Sequence, residues 1–388
     1  MTDARTDTDE LTDLAARLVQ IESENPPGNE RACASFIDDW FEDAGIASEL
    51  IANPDPDRPS VAARVGTGQP TLILNGHIDV VPVDDANDWR FDPYGGHLEG
   101  GRLYGRGSAD MKTALAVAML TARDLRDHLD GDTGSLIVHA AAGEETGYPG
   151  TAALIDAGYT GDMAIVLEPT GLRVATRAKG VSTFRLTIGG ESAHASRPDQ
   201  GDNPIDAIPL VLDEVDAYDD RLRAKRDLLC GQAYATVTEV SSGVGQNMAV
   251  IPDRASLLLD RRLLPGESFE TVESEVDALC DRLHEIGVPV SSALVQHYES
   301  SMVDDESPVV KMLQRQTDAI TELSTAPIGL EAATDARVLA ATGIDAVIWG
   351  PGSLEQAHTV DEWISIDEAA TAQQILRRTA RELVASSP

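Results

Sequence analysis

Four apolar runs in the first half of the chain constrain its fold more than any other feature. They read SVAARV, TLILNG, SLIVHA and MAIVLE, and they are separated by turn segments or by a helical pattern near residues 111–129. Short buried strands that alternate with helices are typical of an α/β sheet flanked by helices. Because the carboxyl ends of such strands meet at one edge of the sheet, we expect an α/β catalytic domain with its site at that edge.

The pattern changes near residue 179 and returns near residue 300. The intervening order is strand, helix, strand, strand, helix, strand: VSTFRLTIGG, a helix near 205–223, AYATVTEV, RASLLLDRRL, a helix near 267–286 and VPVSSALVQHY. This βαββαβ order builds a small α+β sandwich. We therefore predict a catalytic domain with a mixed sheet over residues 1–177 and 300–388, interrupted by an inserted lid and dimerisation domain over 178–299.

Composition narrows the possible partners and the compartment. The chain has 66 Asp and Glu against 30 Lys and Arg, a formal net charge of −36, which disfavours nucleic acid and anionic membranes as partners. Its polar N-terminus is unlike a secretory signal, and no apolar run approaches the roughly 18 residues of a membrane span. The cysteines at positions 33, 230 and 280 show no disulfide or metal spacing. We expect a soluble cytoplasmic protein whose acidic surface suits high salt.

Titratable residues follow the ends of the predicted α/β strands or lie in the adjoining loops. They are His77, Asp79, Asp110, Glu144, Glu145, Glu168 and His358. Each has an ordinary alternative, such as a helix cap for Asp110 or solvent exposure for the paired glutamates. Their joint occurrence at the carboxyl ends of one sheet instead predicts a metal site. Histidine and carboxylate ligands without thiolate suit Zn²⁺, with Mn²⁺ or Co²⁺ as substitutes, and their number exceeds what one ion needs.

These residues lie in motifs that resemble the dinuclear zinc deacylase and carboxypeptidase family, which includes acetylornithine deacetylase, succinyl-diaminopimelate desuccinylase and aminoacylases. The matching stretches run nearly end to end: SENPPGNE, GHIDVVP, GRGSADMK, GEETG, LEPT, SAHASRPDQGDNPI, QNMAVIP and GPGSLEQAHTVDE. The resemblance implies two Zn²⁺ ions bridged by Asp110. It places His77 and Glu168 on one ion, and Glu145 and His358 on the other.

The same resemblance assigns roles to residues that do not bind metal. Glu144 is expected to be the general base that takes a proton from the attacking water and passes it to the departing amine. The carboxylate of Asp79 is expected to orient the imidazole of His77. The family also carries a cis peptide after the bridging aspartate, which here joins Asp110 to Met111.

Three residues of the inserted domain complete the implied site. His194 is expected to reach the oxyanion of the tetrahedral intermediate, often from a partner subunit, although a surface histidine is its ordinary alternative. Arg262 and Asn247 are expected to bind the substrate α-carboxylate, for which the arginine fork is suited. Arg261 is adjacent, and only alternation along the strand distinguishes the two arginines. A homodimer formed through the lid is therefore expected.

The substrate is a small N-acyl amino acid in this interpretation, with N-acetylornithine as the first choice. The stretch GLEAATDARVLAATG keeps Thr334 and Asp335 but lacks the glycine- and serine-rich version associated with the desuccinylase. A metallocarboxypeptidase or a succinyl-diaminopimelate desuccinylase remains the alternative enzyme. A catalytically inactive binding protein on the same scaffold is the alternative from another class, and retention of Glu144 with all five ligands argues against it.

Overall fold

The computed structural model describes residues 3–52, 54–129, 133–147, 149–243, 245 and 248–385. These residues form two compact units. The first contains Met1–Thr176, Met302–Ile328 and Thr334–Pro388, and the second contains Arg177–Ser301 and Gly329–Ala333. The predicted boundaries lie at 177/178 and 299/300 and place the short segment 329–333 in the catalytic domain, whereas this segment belongs to the second unit.

The helices of the described residues are α1 (Asp3–Val19), α2 (Arg31–Asp43), α3 (Thr113–Leu125), α4 (Gly150–Asp156), α5 (Ile208–Leu222), α6 (Phe269–Glu285), α7 (Pro308–Ile320), α8 (Ala336–Ala341) and α9 (Ile366–Ala380). None of them combines the length and the apolar character needed to cross a membrane.

The strands of the first unit and of the points where the chain leaves it are β1 (Ala47–Ile51), β2 (Ser60–Val65), β3 (Thr71–His77), β4 (His97–Glu99), β5 (Arg102–Tyr104), β6 (Ser135–Ala141), β7 (Met163–Val166), β8 (Ala175–Ala178), β17 (Ser301–Met302), β18 (Ile328–Leu330), β19 (Asp345–Ile348) and β20 (Trp363–Ser365). The strands of the second unit are β9 (Gly180–Gly189), β10 (Ala193–His194), β11 (Arg226–Asp227), β12 (Gly231–Gln232), β13 (Tyr234–Ser242), β14 (Val250–Ile251), β15 (Arg254–Leu263) and β16 (Val290–Tyr298).

The main sheet of the first unit is mixed and has nine strands. Its order is β1-β2-β6-β3-β7-β19-β8-β17, with β18 also paired to β8. The four adjacent strands β6, β3, β7 and β19 are mutually parallel, and the strands next to this group pair antiparallel with it. The predicted fold class, a mixed sheet flanked by helices, is confirmed.

Helices cover both faces of this sheet, which explains why its central strands are almost wholly apolar. Helix α3 is buried along most of its length and packs against α1 and α9. On the opposite face α4 contacts β2 and β6. The two faces alternate along β2, because Val61 and Ala63 join the large core whereas Ala62 joins a small cluster with Leu154 of α4.

The four long strands and two helices of the second unit follow the predicted order, and the short strands β10, β11, β12 and β14 lie between them. Its main sheet runs β13-β15-β9-β16 with every neighbouring pair antiparallel. Burial alternates along β15, and Leu257 and Leu259 share a core with Val215 of α5 and Val276 of α6. The two helices therefore cover one face of this sheet, and the other set of β15 side chains points away from them.

Candidate metal centre

Four neighbouring parallel strands bring candidate ligands to one edge of the central sheet. His77 is the last residue of β3, Glu145 follows β6 by four residues, Glu168 follows β7 by two, and His358 follows β19 by ten. Since β6, β3, β7 and β19 run in the same direction, the segments after them emerge at the same edge. The strand order therefore accounts for the convergence of four segments that lie far apart in the sequence.

Asp110 reaches the same place from the irregular turn Ser108–Lys112 that precedes α3. Its backbone is non-helical, with φ −125° and ψ 94°, and the peptide bond to Met111 is cis, as expected. The Asp110 side chain caps no helix: Oδ1 lies 3.1 Å from Nε2 of His77, and Oδ2 lies 3.4 Å from Nε2 of His358. The buried carboxylate thus faces two different histidines with its two oxygens.

Glu145 and His358 meet on the other side of Asp110. Nε2 of His358 lies 3.0 Å from Oε1 of Glu145, and one ligand atom from each of His77, Asp110 and Glu145 lies within 4.8 Å of the others. His358 has φ 62°, in the left-handed region that costs a non-glycine residue about 1–3 kcal/mol. Such a conformation persists only where surrounding contacts fix the backbone, which is common at functional sites.

The carboxyl groups at this edge repel one another. Burial raises the pKa of Glu144 well above its ordinary value, and the charges of Glu168 and Asp335 raise it further. Burial also raises the pKa of Glu168 well above its ordinary value. Glu145 and Asp335 show upward pKa shifts with the same first cause. Each of these groups would gain from a nearby positive charge.

The histidines respond in the opposite sense. Hydrogen bonds to Asp110 and Glu145 raise the pKa of His358 to about 10. Burial alone would lower the pKa of His77, but its hydrogen bond to Asp110 and the charges of Asp110 and Asp79 raise it well above its ordinary value. Burial alone would raise the pKa of Asp110, and hydrogen bonds from both histidines hold it well below its ordinary value. The edge of the sheet therefore stabilises positive charge.

Divalent cations fit this donor set. Among the residues that the structure describes, no lysine or arginine forms an ion pair with Asp110, Glu144, Glu145 or Glu168, so only the histidines balance these carboxylates. Buried carboxylates at such density need a cation or protons to be neutralised. Imidazole nitrogen and carboxylate oxygen without thiolate is the donor set of catalytic Zn²⁺, Mn²⁺ and Co²⁺ sites.

Asp79 holds the turn that carries the paired glutamates. Its carboxylate accepts hydrogen bonds from the main-chain N–H groups of Gly143 at 2.9 Å and of Glu144 and Glu145 at 3.1 Å. The acceptor for Nδ1 of His77 is the main-chain oxygen of Asp79, at 2.9 Å, whereas the Asp79 carboxylate lies 3.7 Å away. The expected orientation of His77 by this residue thus runs through its backbone, because the carboxylate is occupied by the turn.

Further buried polar side chains support the same edge. Asn25, from the NPPG turn, donates to the Asp79 carboxylate at 2.8 Å. Asp335 accepts from Oγ1 of Thr151 at 2.6 Å, and Asn75 donates to that hydroxyl at 2.8 Å. The sequence patterns predicted no role for Asn25, Asn75 or Thr151. A signal was present at Asn75, since an amide in the otherwise apolar run TLILNG needs a buried hydrogen-bond partner.

Comparison with known proteins identifies the family. Residues 73–382, most of the chain, match the peptidase family M20/M25/M40. The chain belongs to this family. The resemblance seen in the sequence is thereby confirmed, and the protein is a metal-dependent hydrolase of amide bonds.

Individual relatives of this M20 hydrolase cover nearly its whole length. A probable succinyl-diaminopimelate desuccinylase of Staphylococcus aureus is 26% identical over 386 residues, which is 92% of this chain and 93% of the relative. An M20 family metallo-carboxypeptidase from Sulfolobus solfataricus has a similar structure, with a TM-score of 0.79, 18% identity, and coverage of 95% and 98% of the two chains. A dinuclear metal-binding M20 peptidase from Bacillus subtilis matches with a TM-score of 0.71, 16% identity, and coverage of 97% and 98%.

The second unit of this M20 chain holds the other predicted site residues. Asn247 lies outside the described residues. His194 is exposed at the end of β10, and its Nδ1 accepts hydrogen bonds from the main-chain N–H and the hydroxyl of Ser196, at 3.1 and 2.8 Å. With Nδ1 as an acceptor, the neutral ring carries its proton on Nε2 and can donate it to a ligand.

The two adjacent arginines of β15 have different environments. Arg261 is fully buried on the helix-covered face of the sheet and donates to Tyr218 and Glu267. Arg262 points to the opposite face, is partly exposed, and forms an ion pair with Asp260 at 2.8 Å. Arg261 is thus committed to the core of the second unit, which leaves Arg262 as the arginine available to a ligand.

Proposed function

We propose that this M20 hydrolase uses two Zn²⁺ ions to remove the acyl group from an N-acyl amino acid, with N-acetylornithine as the first substrate to test. Asp110 is the proposed bridging ligand, because its two oxygens face His77 and His358 separately. His77 and Glu168 complete one position, and Glu145 and His358 complete the other.

The observation that carries this proposal is the placement of Glu144. It lies in the turn fixed by Asp79, directly before the ligand Glu145, and burial beside Glu168 raises its pKa well above its ordinary value. A buried carboxyl group that holds a proton more readily than usual, next to a proposed ligand, is suited to accept a proton and give it up again. A protein that only bound its ligand would have no need for such a group.

The proposed chemistry divides between cations and side chains. Two bound divalent cations would supply a water acidified for attack and would polarise the amide carbonyl. Glu144 would take the proton from the attacking water and deliver it to the nitrogen of the departing amine. Nε2–H of His194 would donate to the carbonyl oxygen as negative charge develops on it, from a partner subunit if the chain is a homodimer. Arg262, with Asn247, would bind the substrate α-carboxylate.

Two other substrate classes fit the same ligands. The Staphylococcus aureus relative is a probable desuccinylase, and the Sulfolobus solfataricus neighbour is a carboxypeptidase. The desuccinylase is disfavoured because the segment around Thr334 and Asp335 lacks the glycine- and serine-rich version associated with that activity. The carboxypeptidase would keep the metal ligands and Glu144 and differ only in accepting a peptide bond.

A product assay on Zn²⁺-loaded protein tests the proposal. N-acetylornithine, N-succinyl-diaminopimelate and a peptide with a free C-terminus are incubated in low and in molar salt, and acetate, succinate and free amino acid are measured. Acetate release that disappears in Glu144→Gln supports the proposed deacylase. Faster succinate release would favour the desuccinylase, and amino-acid release from the peptide alone would favour the carboxypeptidase.

A further inference from the structure

A buried ion pair lies directly behind the proposed ligands and is not one of them. Glu362 is completely inaccessible to solvent and Arg106 is 5% exposed. Nη1 of Arg106 donates to Oε2 of Glu362 at 2.7 Å. Arg106 and Glu362 are far apart in the sequence. Arg106 lies four positions before the proposed ligand Asp110, and Glu362 lies four positions after the proposed ligand His358.

Glu362 fixes the backbone of the Asp110 turn. Its Oε1 accepts hydrogen bonds from the main-chain N–H of Ala109 at 2.9 Å and of Asp110 at 3.2 Å. The carboxylate of Glu362 therefore uses one oxygen for this turn and the other for Arg106. A carboxylate bonded in this way determines how the Asp110 side chain is directed, because it holds the peptide groups on the N-terminal side of that residue.

Arg106 fixes the loop that carries His358. The same Nη1 atom donates to the main-chain oxygen of Thr359, the next residue, at 3.2 Å. The main-chain oxygen of Glu362 accepts from the N–H of Gly105 at 2.9 Å, and β20 then pairs antiparallel with β5. One pair of side chains thus contacts both segments that supply ligands to the same cation position.

The loop between His358 and Glu362 needs such support. His358 and Asp361 both have left-handed backbone conformations, with φ of 62° and 57°, which are unfavourable for non-glycine residues. Conformations of this kind are kept only when neighbouring contacts over-determine the backbone. The Thr359 and Glu362 contacts lie on both sides of Asp361 and provide that restraint.

We propose that Glu362 and Arg106 are positioning residues that join the Asp110 turn to the His358 loop and thereby set the affinity of the cation position formed by Asp110, Glu145 and His358. The inference rests on the proposed ligand set. It predicts that the pair affects this position more than the one formed by Asp110, His77 and Glu168, since Arg106 and Glu362 contact the His358 loop directly.

The chain contains a matched control in the same unit. Glu30 is also completely buried, and Arg58 donates to it through Nε at 3.0 Å and through a second nitrogen. This pair links the start of α2 to the segment before β2, and neither of these segments carries a proposed ligand. Loss of either glutamate charge weakens an ion pair whose carboxylate is completely buried, so both substitutions should reduce stability.

The test is a Co²⁺ titration of chelator-treated wild type, Glu362→Gln and Glu30→Gln, followed by visible absorption, with Zn²⁺ calorimetry in parallel. We expect Glu362→Gln to weaken one of two binding constants by about 10–100-fold and to change the spectrum of that site, while the other changes by less than about threefold. Glu30→Gln should keep both constants and the wild-type spectrum despite a lower Tm. Unchanged constants in Glu362→Gln, or equal losses in the two variants, would overturn the inference.

Arg106→Lys keeps the buried charge and tests the inference if Glu362→Gln does not fold. An ammonium can still pair with Glu362, but the lysine side chain is shorter and does not place its nitrogen where Nη1 donates to both Glu362 and Thr359, so we expect a loss of about 3–10-fold at the same position. Wild-type affinity and spectrum in Arg106→Lys would contradict it. No substrate is needed, so the result is independent of the deacylase assignment. If wild type bound a single Co²⁺, the proposal of a dinuclear site would fail. The inference about Glu362 would then still require Glu362→Gln to lower the binding constant for that single ion.

Discussion

Each unit contains a cluster of buried and partly buried charges, and the pKa values of the glutamates shift in opposite directions in the two clusters. We define the acidic cluster of the first unit as Asp110, Glu144, Glu145, Glu168 and Asp335. We define the balanced cluster of the second unit as Lys225, Arg261, Glu267 and Glu275. Burial would raise the pKa of Glu267 and of Glu275, but hydrogen bonds and charges from Arg261 and Lys225 lower both. In the acidic cluster the pKa of Glu144 and of Glu168 is instead raised well above its ordinary value.

The two clusters differ in how many cationic side chains they contain. In the balanced cluster, Arg261 lies 2.7 Å from Glu267 and 3.2 Å from Glu275, and Lys225 lies 2.8 and 2.6 Å from the same carboxylates. Two cationic side chains therefore meet two carboxylates. Among the described residues, the acidic cluster has the charge of Arg337 beside Asp335 but only His77 and His358 to balance Asp110, Glu144, Glu145 and Glu168. A histidine that ligates a metal must be neutral. The balanced cluster is therefore complete without a ligand, whereas the acidic cluster would gain from bound cations.

The largest expected effect comes from removing the proposed base of the acidic cluster. Glu144→Gln keeps the size of the side chain but cannot accept a proton, so kcat should fall by about 10²–10⁴-fold. Because Glu144 is not a proposed ligand, the metal content should remain that of wild type. Steady-state kinetics with metal analysis on the same preparation checks both statements, and near-normal turnover would show that another group is the base.

Neutralising one carboxylate in each cluster should change stability in opposite directions. Glu267→Gln removes one of the two carboxylates that pair with the buried Arg261 and leaves Glu275 at 3.2 Å, so it should destabilise the protein by about 1.5–3 kcal/mol, the range for a lost hydrogen bond between charged groups. Glu168→Gln removes like-charge repulsion and should stabilise the metal-free protein by about 0.5–2 kcal/mol. Urea unfolding of the chelated variants at pH 8 measures both. Changes of the same sign would remove the distinction between the clusters.

The distinction also predicts how stability depends on pH. In metal-free protein the raised pKa of Glu144, Glu168 and His358 means that the folded state holds protons more tightly than the unfolded state. The stability that Glu144 and Glu168 contribute is fully present below their unfolded pKa of about 4.5 and is lost as pH rises through their raised folded pKa. The stability that His358 contributes is fully present below its unfolded pKa of about 6.5 and is lost as pH rises through its folded pKa of about 10.

Metal-free protein should therefore lose stability steadily from pH 5 to 9, and metal-loaded protein should not, because cations replace the bound protons. Melting curves of both forms across that range provide the comparison. Parallel pH profiles would mean that no cation binds at the acidic cluster.

The smallest expected effect concerns substrate recognition in the second unit. Arg262→Lys keeps the charge but cannot form two parallel hydrogen bonds to a carboxylate, so KM for an N-acetyl amino acid should rise about tenfold. Discrimination against the corresponding amide should fall, and metal content should stay constant. The comparison is kcat/KM for acid and amide in wild type and variant at one high salt concentration. An unchanged ratio would exclude Arg262 as the residue that reads the α-carboxylate.

The sequence predicted those features that depend on local pattern. Apolar runs followed by His77, Glu145 and Glu168 were sufficient to place these residues at one edge of a sheet, because parallel strands align their carboxyl ends. Alternation along the strand RASLLLDRRL places Arg261 and Arg262 on opposite faces, but it does not show which of the two arginines is available to the substrate. The helices α5 and α6, which cover one face of that strand, are what distinguish the two.

Other features depend on hydrogen bonds between distant segments and leave no local pattern. The carboxylate of Asp79 binds the N–H groups of the turn that carries Glu144 and Glu145, which lies more than sixty residues away. Glu362 binds the N–H groups of a turn about 250 residues earlier. Main-chain donors are the same in every residue, so only the folded chain identifies which of them a buried carboxylate meets.

Metal content tests the central claim, that the acidic cluster is a dinuclear cation site, most directly. Wild type and Asp110→Ala are chelated, reloaded with excess Zn²⁺, freed of loose metal by gel filtration and analysed by mass spectrometry, with Glu267→Gln as the control from the balanced cluster. We predict two Zn²⁺ per chain in wild type and in Glu267→Gln, and fewer than one in Asp110→Ala, because this carboxylate faces both positions. Fewer than two ions in wild type, or two ions retained by Asp110→Ala, would contradict the account.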